Sequence, residues 1–256
     1  MQSMFMAVDI GNTNIVLGFL QGTRTIGTYR ITTKAAHTSD EYGLMITHFL
    51  SLHKLSESDV EQVVIASVVP QVMHSFTASI MKFLHITPLI VGPGIKTGIN
   101  VRIDEPRTLG ADCLADCAGA YYCHTAPALV ADFGTATTFN YVTARGEITC
   151  GLIAPGIQTS AASLWQGTAQ LPEIELVQPT SIIATNTAHA MQAGIFYNAL
   201  GGIERIIEQF KREIQEDFTV IATGGLGRMV AQSTKLIDVY DPDLMFKGMA
   251  AIARKN

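Results

Sequence analysis

Phe5 to Leu20 reads FMAVDIGNTNIVLGFL, and Ala128 to Val142 reads ALVADFGTATTFNYV. In each, an apolar run containing a single aspartate (Asp9, Asp132) enters a glycine turn (Gly11, Gly134). A second strand-like run follows directly. Such a stretch predicts two adjacent strands with a polar loop between them. Its occurrence twice in one chain predicts an internal duplication.

The surroundings of the two stretches agree with each other. After the first come a β-branched run from Thr25 to Thr33 and a helix capped by Thr38 or Ser39, with Asp40 and Glu41 in its first turn. A strand from Val63 to Val69, a helix through Met73, Phe76 and Ile80, and a strand from Thr87 to Val91 complete the half. After the second stretch come a strand from Gly146 to Ile153 and a helix through Ala161, Leu164 and Trp165. A long amphipathic helix then starts at Asn186 and includes Met191, Ile195, Ile203 and Ile207. The strand from Phe218 to Ala222 ends in Thr223-Gly224-Gly225, and a last helix includes Leu244, Met249 and Ile252. Each half therefore opens on three strands and continues with alternating helix and strand. The length of 256 residues suits two modest domains. We expect them at 1–116 and 117–256, with the last helix packing back on the first.

The loops have a chemistry in common. A glycine turn lets a ligand approach the backbone, and successive backbone N–H groups there form a concave anion site. Asn12, Thr13, Asn14 and Thr135 add neutral donors that tolerate phosphate. Asp9 and Asp132 lie at the carboxyl ends of strands, where α/β sheets place ligands. A carboxylate beside phosphates helps only with a cation between them, so Asp9 points to Mg²⁺, held directly or through water. Gly224 and Gly225, between a strand and a helix, would let a flat group such as adenosine pack on the backbone. Each motif alone is an ordinary turn; their order and repetition are what point to a nucleotide.

DIGNTN, Gly110-Ala111-Asp112, DFGTA and Thr223-Gly224-Gly225, in that order over nearly the whole chain, resemble the actin-like ATPase and sugar-kinase superfamily. Within it they resemble the type III pantothenate kinases. Gly92-Pro93-Gly94, Pro106, Gly151 to Ile157 (GLIAPGI) and Asn186-Thr187 fit the same family. The resemblance implies an α/β fold of two ribonuclease-H-like (actin-like ATPase) domains, with a mixed β-sheet in each and a cleft between them. It implies ATP-dependent phosphorylation of pantothenate to 4'-phosphopantothenate, the first step of coenzyme A biosynthesis. By the same resemblance Asp112 is the general base, and Asp9, Ile10, Gly11, Asn12, Thr13, Asn14, Ile15, Val16 and Thr135 hold ATP, joined by Gly224 and Gly225. Asp132 binds a monovalent cation, K⁺ or NH₄⁺. Gly110, Ala111, Asp112 and Cys113 line the pantothenate site, and Thr187 reaches the substrate from the neighbouring subunit of a homodimer. The chain departs from the family where Cys113 stands in place of an arginine and Ile103 in place of an aromatic residue. Arg102 and Arg107 are nearby cations that could supply the missing charge.

Composition excludes other classes. The formal net charge is -5, with no basic run, which argues against nucleic acid. No apolar stretch approaches the roughly 20 residues of a membrane helix, and the opening residues lack the pattern of a signal peptide. We expect a cytoplasmic protein. Cys113, Cys117 and Cys123 lie among small residues and read as helix packing rather than a zinc site. Two other readings are a small sugar or N-acetylhexosamine kinase and a catalytically weak regulatory relative. Cys113 favours the last; Asp9, Asp112, Asp132 and Thr135 oppose it, since a binding module needs no proton acceptor.

Overall fold

The structure, a computed structural model, describes residues 4–22, 24–34 and 36–256. The described chain forms two compact units. One takes in the chain up to His124 together with Asp243–Asn256, and the other is Thr125–Pro242.

The first unit opens with β1 (Met4–Ile10), β2 (Asn14–Gln21) and β3 (Arg24–Thr32). It continues with α1 (Ser39–Leu52), β4 (Val60–Ser67), α2 (Pro70–Phe83), β5 (Leu89–Ile90), the short β6 (Asn100–Val101) and α3 (Ala111–Cys123). Its sheet runs β3-β2-β1-β4-β5. The β1–β2 and β2–β3 pairs are antiparallel, while β1–β4 and β4–β5 are parallel. Strand β1 sits at the centre and is buried on both faces, which is why it reads as a continuous apolar run. Strand β3 lies at the edge and alternates between covered and exposed residues. Helix α1 starts at a capping box: Glu41 N donates to Thr38 Oγ1 at 3.3 Å, and Thr38 N donates to Glu41 Oε2 at 2.7 Å. Pro70 occupies the first turn of α2, where its missing N–H costs nothing.

The second unit repeats the plan with β7 (Ala128–Phe133), β8 (Ala136–Val142), β9 (Glu147–Pro155), α4 (Ile157–Gln166), α5 (Thr187–Glu213), β10 (Thr219–Thr223), α6 (Gly227–Ala231) and β11 (Val239–Tyr240). Within this unit the strands run β11-β10-β7-β8-β9, the same order as in the first. Here too the first three strands are antiparallel and the later two parallel. The expected α/β class, with a mixed sheet in each half, is what the chain forms. Each unit has its own apolar core, one built on Ile10, Phe19, Phe76 and Ile80, the other on Leu129, Phe139, Ile195 and Ile207.

The expected division at 116/117 needs correction, because it would cut α3. The units divide between His124 and Thr125, and α7 (Leu244–Ala253) belongs to the first. Its packing on α3 explains why. A Cβ on Gly119 would come against the Leu244 backbone, and one on Gly248 would meet Gly119 N at 2.7 Å. Glycine on both helices lets the backbones cross at contact distance. Among the described residues, no helix is long and apolar enough to cross a membrane.

Candidate active site

In the first unit Asp9 lies at the end of the central strand, opposite Val16 on β2 and Ala66 on β4, and is half-buried. The loop beyond it is closed by Gly11 N donating to Asn14 O at 3.0 Å. Asn12 and Thr13 are exposed, whereas Ile10 and Ile15 have no accessible surface. Of the eight residues expected to hold ATP here, those two can offer only backbone groups, because their side chains belong to the core. Sequence reasoning missed Thr33, whose N donates to Thr13 O at 3.0 Å and whose hydroxyl donates to Gly11 O at 2.6 Å.

The second unit builds the same corner. Asp132 pairs with Thr138 on β8 and Thr223 on β10, and Gly134 N donates to Ala136 O at 3.1 Å. Thr135 is exposed at the loop tip. Gly224 has φ +85° and packs so closely on the Asp132 carboxylate and the Phe133 backbone that no side chain fits. Asp132 and Gly224 are thus brought together, with Thr135 on the same loop, while Gly225 has open space where a side chain would be.

Gly110 and Asp112 meet at the start of α3. Gly110 is the extended N-cap residue, Ala111 the first helical residue and Asp112 the second. The Asp112 carboxylate turns back over Gly110, where any side chain would collide with it, and accepts from Cys113 N at 2.8 Å. A carboxylate in the first turn faces the positive end of the helix dipole. Cys113 is half-buried, and Cys117, one turn on, is buried in the α3 packing. Of the two nearby cations, Arg102 is engaged by Asn100. In the amide orientation that satisfies both groups, the Asn100 oxygen accepts from Arg102 Nε at 2.9 Å and Nη2 at 3.1 Å. Arg107 is exposed, in a one-turn 3-10 helix (Pro106–Thr108) just before α3.

Thr187 is the first residue of α5, capped by Asn186, whose side chain accepts from His189 N at 2.9 Å. It is exposed at a cavity of about 700 Å³ lined also by Thr137, Ala154, Ser160, Gly194 and Asn198. Among the described residues, no cluster of three or more histidine, cysteine or carboxylate side chains could hold a metal on its own. The donor set fits a divalent cation carried in on phosphate oxygens and water, with one carboxylate such as Asp9 beside it.

Two units of this strand order, each with an aspartate and a glycine turn at the end of its central strand, define a protein of the actin-like ATPase and sugar-kinase fold. Similarity to solved structures agrees at the level of fold. A candidate 2-dehydro-3-deoxygalactonokinase from Sinorhizobium meliloti superposes with a TM-score of 0.60 at 12% identity, covering 98% of this chain and 96% of that one. A candidate Baf-family transcriptional activator from Campylobacter jejuni superposes with a TM-score of 0.59 at 20% identity, covering 98% of each. The type III pantothenate kinase family model matches residues 5–209. The type III pantothenate kinase of Bifidobacterium adolescentis is 65% identical over 253 residues, 99% of either chain. The chain belongs to the type III pantothenate kinase family.

Proposed function

We infer that this protein transfers the γ-phosphate of ATP to the primary hydroxyl of pantothenate, releasing ADP and 4'-phosphopantothenate at the entry to coenzyme A biosynthesis. The observation that carries this reading is the end-to-end relationship at 65% identity to a type III pantothenate kinase.

The roles are those that the family resemblance implies, and the chemistry of the residues is compatible with them. The Asp112 carboxylate accepts the hydroxyl proton as the alcohol oxygen attacks the γ-phosphorus in line, and the bond to the ADP oxygen breaks. Positioning and charge neutralisation supply most of the rate in such transfers. The Asp9–Val16 loop and Thr135 hold the phosphates through backbone N–H groups and neutral side chains, and Gly224-Gly225 lies against the nucleoside. A divalent cation beside Asp9 would neutralise charge on the phosphates. A monovalent cation, K⁺ or NH₄⁺, is assigned to Asp132, whose carboxylate is held against the side-chain-free Gly224. Gly110, Ala111, Asp112 and Cys113 take the pantothenate.

We assign a homodimer built on α5. Gly194, Asn198 and Gly201 form an exposed stripe at helical spacing, with no atom near the place of a side chain on either glycine. Thr187, on the same helix, would then reach the partner's substrate. Asn198→Trp should lower the mass seen by light scattering to that of a monomer. We place the enzyme in the cytoplasm, with its nucleotide.

Purified protein incubated with ATP, Mg²⁺, K⁺ and pantothenate should give 4'-phosphopantothenate by mass spectrometry, and Asp112→Asn should give little. ATP consumed with no product from wild type would move the reading to another acceptor.

A further inference from the structure

We propose that Thr33 and Thr159 are matched positioning residues, one for each phosphate loop, which tie loop carbonyls back so that the neighbouring N–H groups face the nucleotide. This rests on reading the loops after β1 and β7 as phosphate loops.

Both threonines follow the third strand of their unit. In the first unit, β3 ends at Thr32, and Thr33 donates its hydroxyl to Gly11 O at 2.6 Å and its N–H to Thr13 O at 3.0 Å. In the second, β9 ends at Pro155, and Gly156 passes so close beneath the loop that a Cβ would meet Gly134 O at 2.7 Å. Thr159, in the first turn of α4, then donates its hydroxyl to Thr135 O at 2.7 Å. The two units have different sequences after the third strand, yet in each a threonine hydroxyl from beyond that strand bonds a carbonyl of the loop, that of the glycine itself in the first unit and that of the residue after the glycine in the second.

Peptide geometry gives the contact a consequence. In a planar trans peptide the C=O and the following N–H point in opposite directions. Drawing Gly11 O toward Thr33 therefore turns the Asn12 N–H the other way, and drawing Thr135 O toward Thr159 does the same for the Ala136 N–H. A loop whose carbonyls were loose could rotate them toward the phosphates, where they would repel. The hydroxyls remove that alternative before the nucleotide arrives, which is electrostatic preorganisation.

The test uses Thr33→Val, Thr159→Val, Thr33→Ser and Thr159→Ser in the full chain, with Asn12→Asp as a probe of the loop itself. KM and kcat for both substrates are measured, together with Tm. Thr33→Val should raise KM for ATP roughly fivefold, as loss of one hydrogen bond implies. Thr159→Val should raise it about twofold, since its exposed bond already competes with water. KM for pantothenate should stay unchanged, and each Ser variant should restore KM for ATP. An unchanged KM for ATP in Thr33→Val overturns the proposal. So does an equal loss in Val and Ser variants, or a parallel rise in both KM values that tracks a fall in Tm. If Thr33→Val does not fold, Thr159→Val and its Ser counterpart decide. If Asn12→Asp leaves KM for ATP untouched, the loop is not a phosphate site and the inference falls with that reading. If Asn12→Asp raises it while both Val variants do not, only the inference falls.

Discussion

Asp112 owes its position to two neighbours: Gly110, which leaves room for the folded-back carboxylate, and Cys113, whose N–H holds it. On the role proposed for Asp112 as proton acceptor, Asp112→Asn, which keeps the shape, should lower kcat by roughly 10²–10⁴-fold, the range for general base catalysis. Binding of ATP, followed by calorimetry, should be little changed. Cys113 cannot pair with the pantothenate carboxylate, and Arg102 is held by Asn100. Arg107 is the exposed cation nearest in sequence to the start of α3. Arg107→Ala should raise KM for pantothenate by about tenfold, the scale of a charge-assisted hydrogen bond, with KM for ATP as the control. An unchanged KM for pantothenate would remove Arg107 from the site. At Gly224 a side chain meets both a left-handed backbone and the Asp132 carboxylate. Gly224→Ala should cost about 1 kcal/mol or more in chemical denaturation and, on the monovalent-cation site proposed at Asp132, should flatten the dependence of rate on K⁺.

At the scale of elements, the sequence offered Thr38 or Ser39 as the cap of α1, and the structure makes it Thr38, closed into a capping box by Glu41. Thr38→Ala should destabilise the fold by about 1 kcal/mol. The backbone and side-chain hydrogen bonds from Thr38 hold the Glu41 carboxyl below its ordinary value. That contribution is present above the ordinary glutamate pKa and is lost as pH falls. The strand β8 carries the opposite case. Burial raises the Tyr141 hydroxyl, helped by its hydrogen bond to Glu216 at 2.5 Å. The unfolded chain loses this proton first, at about pH 10, so the stabilisation is complete below that pH and declines as pH rises past it. Urea titrations of wild type and Tyr141→Phe between neutral pH and pH 11 should show a shallower alkaline decline in the variant. No signal in the sequence links Tyr141 to Glu216, because the two are far apart along the chain and meet only through folding.

Across the whole molecule, the duplication gives two units with one strand order, and the last helix breaks the simple division. Helix α7 follows the second unit in sequence but closes over α3 in the first, through Gly119 and Gly248. Enlarging Gly248 to Val should force the helices apart and cost about 1–3 kcal/mol, as overpacking does. Because α3 also carries Asp112, activity should fall with Tm, whereas a surface change such as Glu61→Gln should move neither. An active, fully stable Gly248→Val would mean that the crossing does not fix α3.

The sequence by itself determined the repeat, the order of the longer strands and helices and the candidate aspartates and glycines, because these depend on local periodicity and turn chemistry, whereas the two-residue strands β6 and β11 carry no such signal. The tertiary structure alone decided what depends on contacts between distant segments. It put Ile10 and Ile15 wholly in the core, moved the division between the units to His124/Thr125 and locked Gly224 against Asp132. It also gave both loops a threonine from beyond the third strand. A threonine is common at strand ends and helix starts, and only the folding of the chain puts its hydroxyl within reach of a particular carbonyl.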